Sequence, residues 1–196
     1  MTKASLSPRR RRILDAATVV VADHGLRGLT HRAVDREAGL PEGSCSAYFR
    51  TRRALQTGLA EHVSQQLIED VERLSVTLTR HPGDFDRAVD STTRMFLRWL
   101  TTIERLQAML ELTLEATRDP ELAELLAELQ QRLVGVVDQA LCDSGRGTDL
   151  ERATTLVFAS YGVLLGSLTR GKKERRAYLE RSLQRLIEGL AALAPA

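Results

Sequence analysis

The chain has 196 residues, 43% of them apolar and 28% charged, enough to bury a core as one or two domains. Residues 1–60 carry 11 lysines and arginines against 5 acidic residues, or +6, and residues 61–196 carry 17 against 21, or −4; a basic head on an acidic body points to a polyanionic partner for the head alone. Two cysteines, Cys45 and Cys142, with no Cys/His cluster at ligand spacing, exclude a disulfide framework and a metal centre, and the longest uncharged run, the 17 residues from Ala153 to Thr169, is too short and polar for a membrane span.

Apolar residues recur at helical spacing nearly throughout, so the expected fold class is all-α, with nine helices. After an arm over residues 1–8, a first helix is predicted from Arg9 to Asp23, with Ile13, Ala17, Val20 and Val21 on one face and Gly25 as its stop. Gly28 falls in the next turn. Thr30 is a good N-cap for a short helix over His31 to Ala38, and Gly39 ends it. Pro41 suits the first position of another short helix, over Pro41 to Tyr48. Thr51 caps a long helix from Arg52. Further helices are expected over 52–79, 84–101, 103–117, 120–143, 149–170 and 174–193, broken at His81-Pro82-Gly83, Arg118-Asp119-Pro120 and Ser144-Gly145-Arg146-Gly147.

The segment from Thr30 to Phe49 is the layout of a helix-turn-helix, whose second helix enters the major groove of DNA. Ala38 is small enough for the two helices to cross closely, Gly39 tolerates positive φ in the turn, and Leu40 packs between them. Glu42, Gly43, Ser44, Ser46 and Tyr48 are left facing out, while Cys45 and Phe49 face in.

These residues resemble the TetR-type transcriptional regulators. The family's usual pattern, T-x-x-x-(I/V)-A-x-x-A-G-V-(S/P)-x-G-(T/S)-x-Y-x-x-F-x-(S/T)-(K/R)-x-x-L, is matched here by Thr30, Val34, Ala38, Gly39, Leu40, Pro41, Gly43, Ser44, Phe49, Thr51, Arg52 and Leu55. Ile-Leu-Asp-Ala-Ala at 13–17 and His24-Gly25 are similar to the family's first helix, and Leu112 to Leu122 is similar to one of its branches. Two positions depart: Ser46 stands where the family usually has Tyr, with Tyr48 two places later, and Asp35 replaces a common Ala. The resemblance implies a two-domain homodimer: a three-helix DNA-binding head, residues 1–51, and a helical ligand-binding and dimerisation bundle, residues 52–196. It implies a protein that grips a double-stranded inverted-repeat operator and releases it when a small molecule binds the body. The sequence itself makes the cytoplasm the default location, because Asp15 breaks any apolar signal region after Arg9 to Arg12, and no cofactor is expected.

Individual residues are weighed against plainer roles. Thr30, His31 and Arg32 open the second helix, where an N-terminus meets phosphate. Arg52 opens the fourth, where a cation adds to the helix amides and dipole; Arg50 and Arg53 share that area. Ser44, Ser46 and Tyr48 can donate to phosphates or bases or pack on a thymine methyl. Glu42 either accepts from cytosine N4 or is a favourable first-turn carboxylate, and Gly43 lets backbone approach DNA. The Arg9 to Arg12 run favours a backbone clamp for at least one arginine. Cys45 reads as a small buried hydrophobe rather than a redox sensor, and Cys142 has no resolving partner.

In the body, aromatics are scarce, so Phe96, Trp99, Phe158 and Tyr161, with Met95 and Met109, are the expected lining of a pocket for an apolar effector within residues 84–165. Glu111, Glu115 and Arg118 either orient a polar ligand or form a solvated face. Gly162 and Gly166, four apart, each lower helix propensity by ~1 kcal/mol. Close helix approach compensates, within the chain or across a dimer formed by helices 149–170 and 174–193; the resemblance favours the dimer. An all-helical enzyme is the competing reading, but GxSxG, HExxH, Walker and GxGxxG motifs are all missing from the sequence. A helical adaptor that never meets DNA is the third, and the +6 charge of residues 1–60 argues against it.

Overall fold

The computed structural model describes residues 7–143 and 148–192. Among them are nine helices and no strand: α1 (Pro8–Gly28), α2 (His31–Glu37), α3 (Ser44–Tyr48), α4 (Arg52–Thr79), α5 (Phe85–Thr101), α6 (Glu104–Ala116), α7 (Pro120–Leu141), α8 (Leu150–Leu168) and α9 (Lys172–Ala192). The expected break at 144–147 and the final residue of the predicted last helix lie outside the described residues. The chain forms two compact units, residues 1–66 with 102–129 and residues 67–101 with 130–196. The α4 helix is divided between them, through Gln66 in the first unit and from Leu67 in the second.

The first unit is built on α1, whose Ile13, Leu14, Ala17 and Val21 are buried together with Leu29, Val34, Leu55, Leu59 and Leu112. The spacing of Ile13, Ala17 and Val21 makes one helical stripe. Ser7 caps α1 by accepting from the Arg10 amide at 3.3 Å, and Pro8 takes the first turn, where its missing N–H costs nothing. Gly25 does interrupt the helix (φ 64°, ψ 179°), but one more turn follows to Gly28, so α1 runs past the predicted stop. The reason is a tertiary contact with α6. The Leu26 N–H, freed by the interruption, donates to Glu111 at 3.4 Å, and a Cβ on Gly25 would stand 3.1 Å from that carboxylate. Glu111 is thereby an acceptor for α1. A second tie joins α4 to the start of α7: Arg53 donates to both oxygens of Asp119 (2.5 and 3.0 Å) and to Glu121 (2.6 Å). The Arg53 bonds, then the Leu122 amide, hold the Asp119 carboxyl below its ordinary range.

In the second unit, Ile68, Leu133, Val134, Ala153 and Val157 form a buried cluster from α4, α7 and α8. Met95, Phe96 and Trp99 of α5 are buried, as are Leu164, Leu179 and Leu183 of α8 and α9. The Trp99 indole N–H donates to Asp70 at 2.7 Å, which satisfies a polar group that burial would otherwise penalise. Close approach of α8 and α9 explains one of the paired glycines: a Cβ on Gly166 would lie 2.5 Å from the Tyr178 hydroxyl, whereas one on Gly162 would meet open space. Gly162 instead belongs to an exposed stripe of α8 with Thr155, Phe158, Leu165 and Thr169, in which Phe158 is 49% and Leu165 41% exposed.

Candidate nucleic-acid interface and apolar cavity

The helix-turn-helix is held by local bonds that the chain's own residues dictate. Thr30 accepts from the Ala33 amide at 3.2 Å and so opens α2. Gly39 takes φ 59° in the turn, and the Leu40 N–H returns to the Asp35 carbonyl at 2.9 Å. The recognition helix starts at Ser44 and not at Pro41 as predicted. Gly43 adopts φ 91°, a left-handed conformation that removes residues 41–43 from any helix and that glycine reaches without a Cβ clash.

Asp35 takes the place of the missing cap. Its carboxylate, 2% exposed, accepts from the Gly43 amide at 2.8 Å and the Cys45 amide at 2.7 Å. The departure from the family pattern is therefore a staple across the turn that fixes where α3 begins. Sequence reading noted Asp35 without assigning it a role; an acid eight to ten residues before a helix start with no side-chain cap was the available signal. Cys45 lies fully buried beneath it, and burial first, then the Asp35 charge, push its thiol up to about 11.

On the outer side, Ser46 and Tyr48 are exposed and Ser44 is half-buried; Ser46 Oγ also donates to the Gly43 carbonyl at 2.9 Å. Arg50 is exposed. Arg32 and Glu42 face each other at 3.5 Å across open solvent, a geometry of little energetic weight that leaves both side chains available.

Two expected phosphate ligands bond backbone carbonyls of the head, although Arg52 is exposed and His31 half-buried. His31 Nε2 donates to the Phe49 carbonyl at 2.6 Å. Arg52 Nε donates to the Leu29 carbonyl at 3.2 Å, and its Nη2 to the Leu26 carbonyl. Both carbonyls terminate a helix or turn and lack an i+4 amide, so the guanidinium is drawn to them. In the N-terminal run, Arg10 lies over the Phe49 ring at 5.1 Å, while Arg9, Arg11 and Arg12 are exposed.

The second unit holds a cavity of about 150 Å³. The α4 segment supplies Val71, Leu74 and Leu78, α5 supplies Met95, Phe96 and Trp99, and Leu133, Val157 and Tyr161 close it from α7 and α8. Phe96 and Trp99 stack with ring centroids 5.3 Å apart. Burial pushes the Tyr161 phenol up to about 12. Of the six expected lining residues, Met95, Phe96, Trp99 and Tyr161 are brought together here.

The other two are corrected. Phe158 is 49% exposed on the opposite side of α8, because it stands one residue beyond the inward Val157. Met109 belongs to α6, in the first unit. Sequence reading also missed Leu183 and Ile187 of α9, which line the cavity; Leu183 is fully buried within the chain and is not available to a second subunit. The missed α4 side chains Val71, Leu74 and Leu78 were legible as an i, i+3, i+7 stripe.

The fold and these two sites define a helix-turn-helix DNA-binding regulator with a helical body. Residues 13–56 match the model of the bacterial regulatory proteins of the tetR family, and residues 83–189 match the tetracyclin repressor-like C-terminal domain. The chain belongs to the TetR family of transcriptional regulators. Comparison with curated proteins returned no match. Among solved structures, the chain is similar to multidrug binding protein EbrR complexed with imidazole (29% identity, 92% of this chain and 96% of that one, TM-score 0.62). It is also similar to a TetR family member from Streptomyces coelicolor A3 (28% identity, 92% and 98%, TM-score 0.70). A TetR-family regulator from Mesorhizobium loti MAFF303099 shares the fold at 17% identity, covering 92% and 96%, with a TM-score of 0.75. No helix among the described residues is long and apolar enough to cross a membrane.

Proposed function

We propose that this protein is a ligand-responsive repressor that binds an inverted-repeat operator as a homodimer and lets go when a small apolar molecule enters the cavity. The observation that carries the reading is a stapled recognition helix and an aromatic-lined cavity in one chain. DNA binding is assigned to residues 1–51, with Ser44, Ser46 and Tyr48 of α3 and Gly43 just before it facing the groove. Thr30, Arg32, Glu42 and Arg50 stand at its edges. Ligand binding and dimerisation are assigned to residues 52–196. The exposed apolar stripe of α8, with Phe158, Gly162 and Leu165, supports α8 and the outer side of α9 as the subunit interface. Two recognition helices would then lie about one DNA turn apart, ~34–36 Å. A DNA-binding regulator of this kind acts in the cytoplasm.

Similarity to EbrR, whose structures hold imidazole, ethidium and proflavin, supports a small-molecule effector. A ligand shifts operator affinity only through its different affinity for the two states of the protein, ~1–3 kcal/mol or about 5–150-fold in related systems. The α4 helix is the proposed route, because its first half belongs to the unit with the head and its second half lines the cavity. The test is a mobility shift on DNA flanking the protein's own coding region, repeated with a library of apolar compounds. A discrete complex with a dimer's mass, dissolved by at least one compound, is expected. Failure to bind any DNA above scrambled sequence would overturn the DNA reading. Binding that no compound weakens would leave a constitutive DNA-binding protein, the alternative to induction.

A further inference from the structure

The chemistry of the cavity wall narrows the ligand, given the reading of that cavity as the effector site. Phe96 and Trp99 present a stacked aromatic pair, and because the Trp99 N–H is committed to Asp70, the indole offers its ring and not its donor. Among the described residues the wall carries one carboxylate, Asp84, which is partly exposed and paired with Arg87. It accepts from the Arg87 amide at 2.9 Å and from Arg87 Nε at 3.1 Å, which holds its carboxyl below the ordinary range. A guanidinium, Arg152, also borders the space; it has interactions of its own, but its buried Nε makes no hydrogen bond.

A cationic ligand would therefore meet one carboxylate already paired with Arg87, and a guanidinium beside it, at a desolvation cost. The remaining polar side chains of the wall are the His81 imidazole and four hydroxyls. Those of Thr92, Ser160 and Tyr161 have no hydrogen-bond partner among the described residues, whereas Ser75 is bound to the Glu72 carbonyl at 2.8 Å. A volume of about 150 Å³ is the scale at which a dry apolar cavity takes up a single aromatic ring such as benzene.

We propose that the cavity binds an uncharged aromatic compound of one or two rings bearing a hydrogen-bonding oxygen, with the ring against Phe96 and Trp99 and the oxygen met by the lining hydroxyls. Hydroxyls suit such a ligand because each can donate to a carbonyl or ether and accept from a phenol. An organic cation is disfavoured because the one carboxylate is already paired with Arg87, and a carboxylate ligand by its own desolvation, which an Arg152 with other interactions offsets only in part.

Calorimetric titration of the full chain with four probes of one ring system tests this: 2-acetylnaphthalene, naphthalene, 2-naphthoate and 2-naphthylmethylammonium, with ethidium as a larger cation. Expected is an affinity order with acetylnaphthalene first, naphthalene about 2–12-fold weaker for the loss of one hydrogen bond, and both cations at least tenfold weaker. Tyr161→Phe and Thr92→Val, each checked for an unchanged melting temperature, should together shrink the ketone's advantage over naphthalene to under twofold. Equal or tighter binding of either cation, tighter binding of naphthoate, or no binding by any uncharged probe would overturn the proposal. The same probes in the operator mobility shift separate the two readings. A ketone that binds without releasing DNA sinks induction and keeps the ligand class. Release by ethidium alone keeps induction and sinks the ligand class.

Discussion

Removing the Asp35 carboxylate tests whether one buried acid sets the recognition helix. Asp35→Ala strands two donors, the Gly43 and Cys45 amides, which now sit 2.8 and 2.7 Å from its oxygens. An unsatisfied buried donor costs about 1–3 kcal/mol, and more where the lost partner was charged. Gly43 is exposed, so water replaces part of that bond; Cys45 is fully buried, and its amide has no such substitute. The loss in the head is then about 2–4 kcal/mol, which for a chain of this size lowers the melting temperature by roughly 5–15 °C. Asp35→Asn keeps one acceptor oxygen but turns an amide donor toward a second donor, so it should fall between Ala and wild type. The assays are thermal unfolding by circular dichroism and operator titration at fixed salt. Affinity for the operator should drop more than tenfold in Asp35→Ala at a temperature where the head is still folded, because the first turn of α3 loses its anchor. If Asp35→Ala melted within 1–2 °C of wild type (under ~0.5 kcal/mol) and bound the operator within twofold, the staple would have no role in placing α3.

Three further outcomes follow from the same geometry. Arg52→Ala should lower thermal stability by about 1.5–3 kcal/mol, the range for charged hydrogen bonds, yet leave the salt dependence of DNA binding unchanged. A salt slope flatter by ~1 per subunit would instead restore Arg52 as a phosphate ligand. Phe158→Glu should convert the dimer to monomer at micromolar concentration by light scattering while the helical spectrum persists; an intact dimer would place the interface elsewhere. Cys45, with its thiol raised to about 11 from an unfolded value of 9.0, binds its proton more tightly in the folded state. It adds nothing to the pH dependence of stability below about pH 9 and lowers stability as pH rises from there toward 11. Cys45→Ala should flatten the alkaline limb of a stability–pH curve; an unchanged limb would refute the buried-thiol contribution.

Much of the molecule is written in its sequence because helices are local objects. Apolar spacing, caps at Thr30 and Thr51, and breaks at Gly39 and Pro82 are read within a few residues, and the helices from α4 onward fall within two residues of their predicted bounds. The recognition motif was legible for the same reason: its turn and helix lie within twenty residues of one another. What escaped was long-range or directional. The start of α3 was misplaced because its cap is a side chain eight to ten residues upstream. The carbonyl bonds of His31 and Arg52 were not visible either, because a sequence shows that a group is polar and near a helix end but not which carbonyl lies beside it. Gly166 and Gly162 look alike in sequence, and only the position of Tyr178 separates them. The cavity shows the limit most clearly. Scarcity of aromatics pointed to Met95, Phe96, Trp99 and Tyr161, but whether a neighbouring residue turns in or out depends on 100° of helix rotation, which put Val157 on the wall and Phe158 in solvent. Local propensity and spacing set the helices; packing between residues distant in the chain decided which of their polar groups are spent holding the fold and which are left for a ligand or for DNA.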